Sequence, residues 1–290
     1  MSFKSLTESL SGLPAVGLVV RALVKGSHDH SKDMAASIAY FSLFSLFPLF
    51  LGVISVASLF LDSAEIQSRL DGLLSDAFPG SAEFLRPNME TLFRLRGAAG
   101  MTSLVGLSWS ATKMFGAASR GINLALGLHR PHPSYLSPLR YFLPTIAVSL
   151  LLFLSIALPT GVQLVAQVAP GLFGGGGGGF LSFAGNRLTS YVFGFVLLGA
   201  LYTLMPYQRP SWREVLPGAL LAALLMELGK AGFSLYIKNV AHLDAIYGSL
   251  TSIIVLLLWL YLAARVLLFG AELIAVRQAQ DRGKPTEQSA

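Results

Sequence analysis

The chain has 290 residues and a mean hydropathy of +0.63; apolar residues make up 53% of it and charged residues only 12%. An average soluble domain carries roughly 25% charged residues, and a globule of this length needs most of them at its surface. A soluble enzyme and a disordered regulator are therefore excluded, and the absence of cysteine excludes a disulfide scaffold, a zinc-thiolate site and an iron–sulfur cluster. The net charge of +6 fits Lys and Arg in cytoplasmic loops facing anionic headgroups. Nucleic acid is not expected as a partner, because no aromatic RNA-binding motif or dense basic cluster occurs.

The N-terminal segment 1–32 contains a short apolar run, Leu13 to Val24, interrupted by Pro14 and Arg21. It lacks a small-residue cleavage site and reads as a helix lying in the membrane interface. A membrane domain, residues 33–276, follows. No Asp, Glu, Lys or Arg occurs between Asp33 and Asp62 or between Arg140 and Arg187, gaps longer than the roughly 20 residues that cross a bilayer. Six spans are predicted: Met34 to Leu61, Ala98 to Ser119, Tyr141 to just before Pro170, Leu188 to Met205, Val215 to Ile237, and Ala245 to Ile274. Pro170-Gly171 and the run Gly174 to Gly179 must break the long uncharged stretch, since consecutive glycines lose too much backbone entropy in a helix. That run has no GxxxxGK[ST] frame and reads as a connector rather than a phosphate loop.

Between the first two spans, residues 62–97 alternate six acids with four arginines, and Ile66, Leu70, Leu73 and Leu74 recur at helical spacing. An amphipathic helical insertion packed on the outer face is expected, as a structural cap or as a lid. Twelve Lys and Arg lie on the side of the N-terminal segment, the loops after spans two and four, and the tail; six lie on the other. The richer side is cytoplasmic by the positive-inside rule, which puts both termini inside, with residues 277–290 a disordered cytoplasmic tail.

The run from Asp33 through Ala39-Tyr40-Phe41-Ser42-Leu43-Phe44-Ser45-Leu46-Phe47-Pro48 resembles the first span of the YihY/BrkB family of bacterial inner-membrane proteins. The same family is echoed by Trp109-Ser110-Ala111-Thr112-Lys113-Met114-Phe115 leading to Arg120 and Asn123. Further matches are Leu216-Pro217-Gly218-Ala219, Glu227-Leu228-Gly229-Lys230, Tyr247-Gly248-Ser249-Leu250, Leu258-Trp259-Leu260-Tyr261 and Gly270-Ala271-Glu272. Arg265 departs from the expected apolar residue, and the glycine run looks particular to this chain. The resemblance implies a six-helix bundle in the bacterial inner membrane. The family has been labelled a tRNA-processing ribonuclease and discussed as a transporter, including of lipids. Metal-dependent RNA hydrolysis needs clustered His and carboxylates. The five histidines, His28, His30, His129, His132 and His242, form no such cluster, and His28-Asp29-His30 reads as a polar juncture. The ribonuclease is rejected, and no metal or other cofactor is expected.

A charge near the bilayer centre costs a few kcal/mol on insertion scales, so each calls for a partner or a wet cavity. Glu227 and Lys230 are three residues apart, on one helix face, and can pair. Arg265 and Glu272 share a face two turns apart, Glu272 close enough to the cytoplasmic end to snorkel. Lys113 and Arg120 form a basic stripe, and Asp33 reads as an N-cap. Pro48 and Pro159 fall deep in their spans and should kink or break them, freeing carbonyls for a cavity. If the spans converge, Lys113, Arg120, Lys230 and Arg265 face Glu227 and Glu272, an excess of positive charge that suits an anionic substrate or phospholipid headgroup.

The chain thus reads as an all-α membrane protein and not an enzyme, since no nucleophile–base pair or metal set is visible. The expected role is transport or export of an amphiphilic or anionic, lipid-like substrate. Its expected partners are membrane lipids and that substrate, with a homo-oligomer also compatible. The alternative is a non-transporting scaffold or assembly factor in which the charges only lock helices together.

Overall fold

Where a bilayer offers no water to the backbone, only structures that satisfy their own N–H and C=O groups persist, and the chain meets that demand with helices. A computed structural model describes residues 14–28, 30–57, 100–128, 180–239 and 250–282. They form α1 (Pro14–His28), α2 (Ser31–Ala57), α3 (Gly100–Ala125), α4 (Phe180–Leu204), α5 (Trp212–Asn239) and α6 (Thr251–Arg282), with no strand among the described residues. The third predicted span, Pro159, the glycine run and the insertion 62–97 lie outside the described residues. Two helices, α5 over Trp212–Ile237 and α6 over Ile253–Gln280, are long and apolar enough by composition to cross a bilayer.

Local signals explain the helix ends. The chain turns from α1 into α2 through His30, whose φ of 52° is unusual for a residue with a side chain. The Asp33 and Met34 N–H groups donate to the His30 carbonyl, so the cap lies at His30. Asp33, expected to be the cap, instead occupies the third helical position, 3.4 Å from the His30 ring. Helix α3 ends in a Schellman motif: Leu128 N–H reaches the Asn123 carbonyl and Gly127 N–H the Leu124 carbonyl, with Gly127 at φ 71°. Helix α5 opens on half a capping box, the Glu214 carboxylate accepting from the Ser211 N–H at 3.2 Å.

Two prolines lie within helices. Helix α2 runs on through residue 48 to Ala57, so Pro48 does not end it. Because α5 begins at Trp212, Pro217 falls inside the helix rather than near its start, and its missing N–H leaves the Arg213 carbonyl without the usual helical donor.

The last helix is the hub: α6 packs against α1, α2, α3 and α5, while α2 packs on α3 and α4 on α5. Small residues allow the close approaches. At Gly218 a methyl group would meet the Gly270 carbonyl at 2.8 Å, and at Gly121 it would meet Leu268 at 2.8 Å and Ile38 at 3.3 Å. Ala219, Ala222, Ala223, Ala264 and Ala271 are buried alongside. Helices that lack a hydrophobic driving force in lipid associate through such close backbone contacts. The core continues through Ile38, Phe115, Ile122, Tyr202, Val215 and Leu268. Outside it, Leu216, Leu220, Leu224 and Leu228 stand exposed at every fourth position of α5. This row of leucines would be a liability in water and is the natural face toward acyl chains.

Candidate functional site

Part way along the bundle, one polar cluster joins α4 to α5. Lys230 Nζ donates to Glu227 Oε1 at 2.8 Å and to Ser190 Oγ at 3.0 Å, and the Ser190 hydroxyl donates to the same carboxylate oxygen at 2.9 Å. The two charged side chains are only 16% and 17% exposed. The spacing of three residues puts both on one helical face, as their sequence positions required. Ser190, on the neighbouring helix, had no sequence signal, being a lone hydroxyl in an apolar run. At 1.5 Å per residue, Glu227 lies about 18 Å from Val215 along α5.

Arg265 sits at the same level on α6. The register of α5 against α6 is fixed by Ala222 beside Gly270, Leu262 beside Gly229, and Phe233 against Trp259 with ring centroids 5.3 Å apart, which sets Arg265 opposite Met226 and Glu227. Arg265 is partly buried and makes no hydrogen bond or ion pair with another described residue. Among the described residues this level therefore carries one carboxylate and two cations. Lys113 and Arg120 both lie exposed on α3.

Glu272 belongs to a different place. It is 3% exposed, accepts from the Ser31 hydroxyl at the start of α2, and packs so close to Gly26 of α1 that a methyl group there would collide with the carboxylate. Glu272 does not reach toward water as a snorkelling residue would; it ties three helix ends together. The neighbouring Lys25 donates to the Ala125 carbonyl at 2.8 Å, satisfying one of the open carbonyls at the end of α3.

A second polar knot at the same end was not apparent from sequence. Asn123, 2% exposed, donates to the Ser119 carbonyl at 2.6 Å and the Met205 carbonyl at 3.4 Å, while its Oδ1 accepts from the Tyr207 N–H at 2.7 Å. The Ser119 hydroxyl adds a bond to the Met205 carbonyl at 3.1 Å. The signal was there as Ser119 and Asn123 four residues apart, one face of α3, but the predicted span stopped at Ser119. Gln278 of α6 donates to the Glu214 carboxylate at 2.6 Å. Lys25, Ser31, Ala125, Met205, Ser211, Glu272 and Gln278 thus gather at one end of the bundle.

Comparison with known proteins follows the same lines. The family described as virulence factor BrkB matches residues 22–290. Curated relatives named UPF0761 membrane protein include one from Rhodospirillum centenum, 28% identical over 282 residues, and one from Pseudoalteromonas translucida, 30% identical over 248 residues. Another, from Xanthomonas campestris pv. campestris, is 31% identical over 264 residues. These alignments cover 94%, 83% and 87% of this chain, and 60%, 79% and 58% of the respective relatives. The chain therefore spans only about three fifths of the length of two of them. No solved structure matches.

Proposed function

The chain belongs to the BrkB family of membrane proteins, and on that premise we propose that it transports an amphiphilic, anionic, lipid-like substrate. In this reading it is a multi-pass protein of the bacterial inner membrane, with six spans and both termini cytoplasmic. The gathered helix ends, rich in exposed Arg and Lys, form the cytoplasmic face expected from the positive-inside rule.

The observation that carries the reading is Arg265. A partly buried guanidinium level with a Glu227–Lys230 pair, and bonded to no described residue, leaves this level, among the described residues, with one positive charge more than it balances. Such a charge is costly in hydrocarbon unless water or an anion meets it. An anionic headgroup passing along this level would meet Arg265 and Lys230, with Glu227 and Ser190 holding Lys230 in place when no substrate is present. The energy source would be an ion gradient, since the sequence holds no nucleotide-binding loop, and Glu227 is the candidate proton carrier.

A second reading, a scaffold whose charges lock helices, is favoured by the closed Ser190–Glu227–Lys230 cluster. Reconstituted vesicles separate the two. A fluorescent phosphatidylglycerol flipped between leaflets should lose its protein-dependent flux with Arg265→Gln while the protein keeps its detergent-resistant fold. The transport reading fails if Arg265→Gln and Arg265→Glu both leave the flux unchanged. The scaffold reading fails if the double variant Glu227→Met, Lys230→Met keeps its fold but loses flux, because a lock replaced by apolar groups of similar volume holds at least as well.

A further inference from the structure

We infer that α1 is an in-plane lipid anchor. Its Val20, Leu23 and Val24 face lies in the acyl chains of the leaflet at the Glu272 end of the bundle, with Arg21 turned to the headgroups. The inference uses the membrane placement proposed above, in which that leaflet is the cytoplasmic one, and does not depend on transport.

Around the axis of α1 the side chains sort into three faces. Ala22 is fully buried, and Gly26 is buried so close to the Glu272 carboxylate that no side chain would fit there. These two mark the face toward the bundle, where α1 packs on α6. Arg21 is exposed and makes no hydrogen bond or ion pair with another described residue. Lys25, one turn on, is partly buried, its ammonium on the Ala125 carbonyl. Leu23 and Val24 are 54% and 41% exposed, with the partly buried Val20 beside them. At about 100° per residue an α-helix sets these three groups roughly a third of a turn apart.

A helix on the surface of a soluble domain turns polar residues outward. The outward surface of α1 is instead divided between a basic face and an aliphatic one. A helix at the rim of a membrane bundle has the same three neighbours: protein for the small residues, acyl chains for the aliphatic ones, and phosphate and water for the bases. The position of α1 agrees, because Lys25 meets the last turn of α3, and the chain passes through the turn at His30 directly into α2. The sequence of α1 contains two bases and no acid, which complements anionic phosphates. A second copy of the same face would bring Arg21 toward its own like charge.

The chain has no cysteine, so a nitroxide can be placed at single positions of the full-length protein in phosphatidylcholine vesicles containing phosphatidylglycerol. Arg21→Cys, Leu23→Cys and Val24→Cys each alter an exposed position. Collisions with oxygen, which concentrates among acyl chains, and with a neutral nickel chelate, which stays in water, are read by power saturation. The oxygen-to-nickel ratio should be several-fold higher at positions 23 and 24 than at position 21. Strong nickel collisions at all three positions would put α1 in water and overturn the anchor. Shielding of 23 and 24 from both reagents would mean that protein covers the face, and overturns it equally. Leu224→Cys, on the exposed leucine row of α5, separates the premise from the inference: nickel collisions there as well would remove the membrane placement itself. A protein that shows the expected ratios but no flux keeps the anchor and loses the transport reading alone.

Discussion

Gly270 offers a test whose sign, as well as size, is diagnostic. In an isolated helix Gly→Ala is stabilising by about 1 kcal/mol, so propensity alone predicts that Gly270→Ala strengthens α6. The packing predicts the opposite. The added methyl would collide with the Tyr202 hydroxyl and lie 2.9 Å from both the Tyr202 ring carbon Cζ and the Ala222 methyl. The Tyr202 side chain has no freedom to retreat, being fully buried and donating to the Leu267 carbonyl at 2.7 Å. Overpacking of this kind costs about 1–3 kcal/mol, so the net effect should be a loss of up to about 2 kcal/mol once about 1 kcal/mol of propensity is credited. Tyr202→Phe removes the colliding oxygen together with a hydrogen bond worth about 0.6 kcal/mol between membrane helices, 1.7 at most. The double variant should therefore be less destabilised than the sum of the singles, by about 1 kcal/mol, because the two changes act on one contact. Equilibrium unfolding of the four proteins in detergent measures the cycle. A stabilising Gly270→Ala, or strict additivity in the double, refutes the packing at this crossing.

Other perturbations read the remaining contacts. Glu227→Ala leaves Lys230 with Ser190 as its remaining partner among the contacts described and should cost roughly 2–5 kcal/mol in the same unfolding assay; replacing both charges should recover most of that, and failure to do so would mean the pair is not coupled. Asn123→Ala strips the acceptor from the Tyr207 N–H, so amide exchange at Tyr207 should accelerate by about ten- to a hundredfold while exchange in the middle of α6 stays unchanged. Gly26→Val drives a side chain into the Glu272 carboxylate and should lift α1 off the bundle. The chain has no cysteine, so Ala22→Cys, at a fully buried position, gives a clean readout: a maleimide should label it only when Gly26→Val is also present.

Much of the helical scaffold could be read from hydropathy, and its errors share one cause. The second predicted span stopped at Ser119 because Arg120 and Asn123 look like loop residues, yet α3 continues to Ala125. Arg120 is on the exposed face, and Asn123 finds every partner it needs in the knot around Met205. The fourth span was started at Leu188, whereas α4 begins at Phe180 and includes Asn186 and Arg187. Helix α6 likewise passes through Arg277 to Arg282, beyond the point where charge alone suggested a tail. Polarity marks where a helix leaves hydrocarbon, and a helix has no need to end there. In the site, Glu227 and Lys230 were legible because helical spacing alone brings them together. Ser190 and Ser31 were not, since their roles arise from neighbours on other helices. Glycine spacing gives no notice of which glycine lies at a crossing, so Gly26, Gly218 and Gly270 emerged only from the packing.

The hub position of α6 has a bearing on how the chain reaches this arrangement. Ser31 and Glu272 are 241 positions apart, and α1, α2 and α3 all rest on a helix that leaves the ribosome after them. Until α6 is inserted, Gly121 has no Leu268 to pack against and the end of α2 has no carboxylate to bind. Earlier helices must therefore wait in the bilayer as loosely associated segments, their small-residue faces open to lipid or to other proteins. A nascent chain stalled just before residue 251 should be a substrate for membrane proteases in a way that the finished protein is not. Lesions confined to α6 should accordingly deplete the protein more severely than equal losses of packing in α4, which leans mainly on its immediate successor.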